Sequence, residues 1–372
     1  MASKDNQSSK SYGGRMRRIL VTGAGGPAGI NFVMSLQIAP EKMFTVGTET
    51  NEYFVHLATT NKKYPISKAT EPDYIDRLNG IIEKEKVEFV HPQPDIEVEV
   101  ISENREKLKA NVFLPSKRAV HACQDKLEST RQWQKRNVPV ARFLELRKES
   151  DVDKAFEEFE SPIWIRARHG AGGRGSTPAN NKDTALSWIK YWQSRNVGWQ
   201  FIAQENLPGR NIGFHSLWKD GELVTSMTRE RIEYIYPHLA PSGITGTPSV
   251  QRTIHDKRAN EIGTEAVLSI DPAFNGIACV DLKENKEGTP CVTEINAGRM
   301  FTTSFFFSYA SKILRKDPYA NIPYLYVKLA FRESIPKIPQ YDVLPENVYW
   351  IRHIDAPAKL VKDGKILGEM YR

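Results

Sequence analysis

The stretch Cys291-Val292-Thr293-Glu294-Ile295-Asn296-Ala297-Gly298-Arg299, with Val280-Asp281-Leu282 upstream, alternates apolar and polar residues in both parts. Alternation with period two predicts two strands. The residues between them include Asn285, Gly288 and Pro290, so the strands are expected to form a hairpin. Asp281 then lies on one strand and Glu294 on its partner, while Glu294 and Asn296, two apart, share a face. That face offers three oxygen-bearing side chains with a cation, Arg299, just beyond. Mg²⁺ prefers such hard oxygen ligands and takes the rest of its shell from substrate phosphates. The same pattern also fits a polar strand end at a sheet surface.

The chain has 372 residues, 40% hydrophobic and 26% charged. That is ordinary globular material, long enough to bury a large core and divide into two or three domains. The net charge of +7 is mild, and Lys and Arg are scattered among Asp and Glu apart from Arg15, Arg17 and Arg18. No basic stripe interleaved with aromatics points to nucleic acid, and an anionic ligand such as a nucleotide accounts for the excess equally well. Cys123, Cys279 and Cys291 are odd in number and lack metal-ligand spacing, which argues for a reducing compartment. No apolar run approaches membrane-spanning length. The expectation is a cytoplasmic protein with no nucleic-acid or membrane partner. Residues 1–16 read as a disordered, Ser-rich tail, with Met16 a candidate natural start.

From Arg18 to about Pro115, short apolar strands alternate with helical stretches: strands at 18–22, 43–46, 87–91 and 112–114, helices at 28–36, 74–85 and 97–109. This rhythm predicts a parallel, doubly wound sheet. Beyond Pro115 it changes. A long helix is expected over 119–136, an acidic one over 151–160 capped by Ser150 or Asp151, and helices at 183–195 and 257–269. Strands are expected at 162–166, 199–205, 211–219 and 222–231, with short strands over 348–354 and 358–367.

Three other motifs bear on chemistry. Gly23-Ala24-Gly25-Gly26-Pro27-Ala28-Gly29 lies between a strand and a helix, with Glu49 after the next strand. It fits a relaxed dinucleotide fingerprint, or a turn whose glycines only permit close packing. The loop from Gly170 to Ser176, with Gly172, Gly173 and Gly175, follows a strand ending in Arg166; its backbone N–H groups suit phosphates, yet it lacks the ending of a P-loop. Gln204-Glu205-Asn206-Leu207 ends a strand at a turn where a carbonyl or carboxylate can meet an adenine amino group with Leu207 against the ring. Arg229 and Arg231 alternate along one strand face and suit a carboxylate or phosphoryl group.

In this order, the parts resemble the ATP-grasp superfamily, most closely single-unit proteins related to the large subunit of carbamoyl-phosphate synthase. The resemblance runs from about Arg18 to Arg299. It implies an α/β and α+β fold: a Rossmann-like pre-ATP-grasp domain with a parallel sheet (17–115), then a two-lobed ATP-grasp domain (116–335, the lobes about 123–205 and 206–335), with C-terminal strands (336–372) packing on the core. It further implies Lys126 and Arg166 on the nucleotide phosphates, Gly170, Gly172, Gly173 and Gly175 in a flap over them, and Gln204, Glu205 and Leu207 at the adenine hinge. Asp281, Glu294 and Asn296 match the ligands of Mg²⁺ (or Mn²⁺). Two positions depart from the pattern. The usual acidic ribose contact is Asn211, and the arginine of the usual Glu-x-Asn-Pro-Arg is displaced by one residue to Arg299.

The implied activity is an ADP-forming ligase. ATP would phosphorylate a carboxylate, an amine or other nucleophile would attack the acyl phosphate, and Arg231 or Arg299 would orient the acceptor. The partners are then a small-molecule carboxylate and a nucleophile, and a homodimer is left open. Three alternatives stand beside this reading: phosphorylation of bicarbonate or carbamate, an NAD-dependent oxidoreductase using Gly23 to Gly29, and a nucleotide-binding regulator without turnover.

Overall fold

The computed structural model describes residues 16–170, 175–195, 200–354 and 356–369. Residues 1–15 of the tail expected over 1–16, and the flap residues Gly172 and Gly173, lie outside them. Three sheets account for all sixteen strands among the described residues.

The first is parallel and built from β1 (Arg18–Val21), β2 (Phe44–Glu49), β3 (Lys62–Pro65) and β4 (Phe89–His91), in the order β3-β2-β1-β4. Alternation along β1 sends Ile19 and Val21 to one face and Leu20 to the other. Each face therefore needs cover. On one side it comes from α1 (Pro27–Gln37); on the other, from α2 (Tyr74–Glu85) and α3 (Asp95–Glu103). The strand expected at 112–114 is reduced to one bridge between Phe89 and Asn111.

The long helix expected over 119–136 is two helices, α4 (Lys117–Gln124) and α5 (Lys126–Lys135). Asp125 breaks it. Its backbone is extended, and its carboxylate accepts from the N–H groups of Leu127 and Glu128, which caps α5. The acidic helix α6 (Glu149–Glu158) also starts earlier than expected: Asp151 lies inside its first turn and accepts from the backbone N–H of Arg147 and Lys148.

The second sheet joins β5 (Phe143–Leu146), β6 (Ile163–Ala167), β7 (Thr177–Ala179) and β8 (Phe201–Gln204), in the order β5-β8-β6-β7. Ile163, Ile165 and Ala167 pack with α6 and α7 (Lys182–Arg195), so the alternate residues Trp164 and Arg166 point the other way.

They face the third sheet, of eight strands: β9 (Asn211–Lys219), β10 (Glu222–Tyr234), β11 (Pro248–Thr253), β12 (Gly276–Glu284), β13 (Pro290–Ala297), β14 (Val348–His353), β15 (Ala356–Lys362) and β16 (Lys365–Glu369). Their order is β13-β12-β9-β10-β11-β14-β15-β16, so the C-terminal strands extend this sheet. One face packs Ile212, Phe214, Val280 and Leu282 against α5 and α8 (Lys257–Ile270), with Trp133 of α5 at the centre. The lower part of the opposite face, including Leu217, Met227 and Ile277, packs on α9 (Phe305–Ile313), α10 (Ile322–Ala330) and α1. Its upper part carries polar residues and is open to the second sheet.

Candidate active site

A cavity of about 520 Å³ lies between the second and third sheets. Its floor is a grid set by strand register. Glu294 on β13 stands opposite Asp281 on β12, Asp281 opposite Gly213 on β9, and Gly213 opposite Arg229 on β10. In the next row, Lys283, Asn211, Arg231 and Gln251 stand side by side on β12, β9, β10 and β11. The period of two brings these residues to the face opposite the α8 side. Trp164, Arg166 and Gln204 form the roof.

Of the residues singled out in the sequence, the cavity gathers Lys126, Arg166, Gly170, Gln204, Glu205, Leu207, Asn211, Arg231, Asp281, Glu294, Asn296 and Arg299. Gly175 is not brought to its wall. It sits at the return into β7, where its carbonyl accepts from the Ala167 N–H.

Three oxygen-bearing groups meet at one end of the floor, and a cation attends each. Glu294 pairs with Arg166 at 3.0 Å, and its carboxylate lies 3.7 Å from the Lys126 ammonium. Asp281 pairs with Arg231, and the Asn296 amide oxygen accepts from Arg299. A register shift beside Asp281 leaves Thr293 as an extra residue, and the Thr293 carbonyl accepts from Arg166 at 3.0 Å. Burial alone would raise the Glu294 carboxyl, but Lys126, Arg166 and Arg299, with a hydrogen bond from Asp281, hold it well below the usual carboxylate range. Burial and the nearby Glu294 raise Asp281 against the pull of Arg231. Burial lowers both Lys126 and Arg166.

The described residues contain no cluster of three or more His, Cys, Asp or Glu side chains placed to hold a metal. The set here is two facing carboxylates and one amide oxygen. Such a set fits a hard divalent cation that completes its shell with phosphate oxygens.

Lys126 is the first residue of α5. Its Nζ donates to the Gly170 carbonyl at 2.5 Å, and its backbone N–H to the Arg168 carbonyl. Arg168 in turn forks onto Asp125. Asp125 thus caps α5 and ties it to the end of β6, which fixes where Lys126 points. Asp125→Ala is expected to cost about 2 kcal/mol through loss of the cap and ion pair. Asp125→Asn, which keeps an acceptor, should cost about half of that. Urea unfolding measures both, and equal losses would refute the division of roles.

At the hinge, the Glu205 carboxylate is already engaged: it accepts from the Arg142 backbone N–H at 2.8 Å and from its guanidinium at 2.9 Å. That carboxylate is therefore committed to holding the turn. Leu207 is buried with Ala141 and Cys291.

Sequence reasoning passed over several lining residues. Asp95, the first residue of α3, pairs with Arg299, so the parallel sheet's own layer reaches the site. Trp164 and Lys283 also line the cavity, the ammonium standing over the indole ring. Both were legible by spacing, each lying two residues from a residue already chosen on the same strand. Arg229, one of the alternating arginine pair but given no separate part, is 1% exposed and lies under the Phe301 ring.

The Gly23–Gly29 turn is a packing feature. The Gly25 N–H donates to Glu49, the residue a dinucleotide ribose would need, and a Cβ on Gly25 would fall 2.0 Å from the Phe54 carbonyl oxygen. Packing against Phe54 thus accounts for the glycine at 25 without a dinucleotide.

No protein-family model matches the chain, and no curated protein matches its sequence. Solved structures do match its fold. The chain is similar to carboxyaminoimidazole ribonucleotide synthase from Aspergillus clavatus complexed with ATP: TM-score 0.66 and 15% identity, covering 90% of this chain and 81% of that one. It is also similar to the biotin carboxylase domain of 2-oxoglutarate carboxylase from Hydrogenobacter thermophilus, solved as a dimer with MgADP, ADP and bicarbonate. There the TM-score is 0.67 and the identity 14%, covering 91% and 74%. The chain is therefore similar in fold to these nucleotide-binding enzymes. A third likeness in fold is the L-amino acid ligase from Bacillus licheniformis, with TM-score 0.67 and 11% identity, covering 92% of this chain and 82% of that one. No helix among the described residues is long and apolar enough to cross a membrane.

Proposed function

We propose that the chain is an ATP-dependent, ADP-forming ligase that activates a small carboxylic acid as an acyl phosphate. The observation behind this reading is one cavity in which two buried cations, two facing carboxylates and an amide oxygen converge beside a hinge turn. When bound, Mg²⁺ would neutralise the phosphate oxygens, with Asp281, Glu294 and Asn296 as its protein ligands.

The chain's own groups do the positioning. Lys126 and Arg166 would exchange their bond to Glu294 for the phosphates, which is the electrostatic alignment phosphoryl transfer requires. Gln204 and the turn at Glu205–Leu207 would seat the base, with Trp164 and Leu207 offering apolar surface. Asn211 would reach the ribose as an amide rather than an acid. Arg231 and Arg299 would orient the acceptor once their present partners take up other work. Gly170 would begin a flap that keeps water from the acyl phosphate. We assign residues 17–115 to the leading unit, 116–335 to a two-lobed ATP-grasp domain, and 336–372 to strands that complete it. Three buried free thiols accord with a reducing, cytoplasmic setting.

Hydroxylamine tests the reading, because it traps an acyl phosphate whatever the natural nucleophile is. The chain with MgATP and a panel of acids, bicarbonate included, is expected to release ADP and form hydroxamate only with particular acids. A chain that shows no saturable binding of MgATP would sink the proposal.

A further inference from the structure

The cations of the cavity are not alike. Arg166 and Lys126 face Glu294, Arg231 faces Asp281, and Arg299 faces Asp95. Arg229 has no carboxylate at ion-pair distance among the described residues; its guanidinium meets the neutral oxygens of Gln251 and Thr303. Its Nε has no hydrogen-bond partner among them although the residue is 1% exposed. A buried guanidinium with no carboxylate in contact is costly, and an anion is the group that would relieve the cost.

The neighbours repeat the pattern. The Gln251 Nε2 donor is buried without a partner among the described residues, as is one terminal nitrogen of Arg352 on β14. No carboxylate among them pairs with Arg352 either. Burial, Arg231 and, more weakly, Arg352 push Arg229 down to about 9 while Asp281 holds it up, so Arg229 stays cationic at neutral pH. The Ser304 hydroxyl beside Thr303 is likewise unpartnered. Around Arg229, unpartnered donors thus gather, and among the described residues neither guanidinium has an acid in contact.

Position matters as much as charge. Asp281, Gly213 and Arg229 are in register on three adjacent strands, so Arg229 stands two strands, roughly 10 Å, from the metal-ligand end. At Gly213 a Cβ would meet Arg231 at 3.1 Å and Arg229 at 3.3 Å, so the absence of a side chain there lets both guanidiniums lean over the floor.

We infer that the acceptor acid carries a second anionic group, and that Arg229, backed by Gln251 and Arg352, holds it while the reacting carboxylate lies toward Asp281 and Glu294. This rests on the ligase reading for the position of the reacting end. The substrate class is a short dianionic acid, the second anion being a carboxylate or a phosphate ester.

Binding, rather than turnover, tests it. The full chain with MgADP is titrated with succinate, phosphoglycolate and butyrate, following thermal stability. Succinate or phosphoglycolate should bind at least about tenfold more tightly than butyrate, and the tighter of the two identifies the anion. Arg229→Gln should weaken it by about 10- to 100-fold, to the level of butyrate. Arg229→Lys, which keeps the charge without the planar fork, should fall between and serves if the glutamine variant does not fold. Equal binding of butyrate, no saturable binding of any of the three, or dianion binding that survives Arg229→Gln while being lost in Lys126→Ala would overturn the inference. None of these outcomes depends on acid-dependent ADP release, so the ligase reading stands or falls by its own assay.

Discussion

Glu294→Gln is expected to lower kcat for acid-dependent ADP release by on the order of 10³. The substitution preserves size and removes one charge from the middle of the site. In the free protein that charge balances Lys126 and Arg166, both buried. In the working complex it would face the cation that neutralises the phosphates, where an amide is a weaker ligand than a carboxylate. The two roles predict opposite effects on nucleotide binding. Metal-dependent turnover should need far more Mg²⁺. Binding of ATP without metal should hold steady or tighten, because Lys126 and Arg166 are released from their intramolecular partner.

The same release should destabilise the free variant. Removing one partner of a buried ion pair leaves the other charge uncompensated, at about 3–5 kcal/mol for a fully buried pair. Here the Glu294 side chain is 26% exposed, so cavity water should reduce the cost to about 1–2 kcal/mol. ATP added without metal should restore more thermal stability to the variant than to the wild type, since it supplies the missing negative charge. A variant that releases ADP at the wild-type rate would remove Glu294 from the metal set.

Why this site was legible while parts of the scaffold were not follows from how local each signal is. Asp281, Glu294 and Asn296 sit on a hairpin, so alternation and a short turn are enough to bring them together. Arg166 follows from its strand and the glycines after it. The break between α4 and α5 was also local, since Asp125-x-x-Glu128 is a helix-start pattern. It was overridden by the helical run on either side. Asp95 was beyond reach, because nothing near it in sequence says that α3 will abut Arg299, two hundred residues later. The loss of the strand expected at 112–114 has a similar cause: a short apolar run is compatible with a strand, but pairing depends on neighbours that only the assembled sheet supplies. The bare state of Arg229 was equally invisible. Its spacing from Arg231 places both on one face, and only the packed structure shows that Arg231 finds an acid while Arg229, among the described residues, does not.

Trp133→Ala is expected to cost about 3–5 kcal/mol, the range for removing a large buried aromatic. The indole is fully buried between α5, α8 and the third sheet, and its Nε1–H donates to the Ala266 carbonyl at 3.1 Å. Truncation removes the packing and one of two donors to a carbonyl that also serves the α8 ladder, so the cavity term dominates. Trp133→Phe keeps most of the ring and loses the donor, and should cost about 1–2 kcal/mol. The consequence for the site follows from the chain path. Lys126 opens α5 and Trp133 lies two turns further along, so the anchor that seats the helix also sets the reach of Lys126 toward Gly170 and Glu294. Urea unfolding should therefore show the larger loss for alanine, and at low urea the phenylalanine variant should bind MgATP nearly as well as wild type. An alanine variant within about 1 kcal/mol of wild type would mean that α5 is held in place by its Asp125 cap and the Arg168 fork rather than by its buried face.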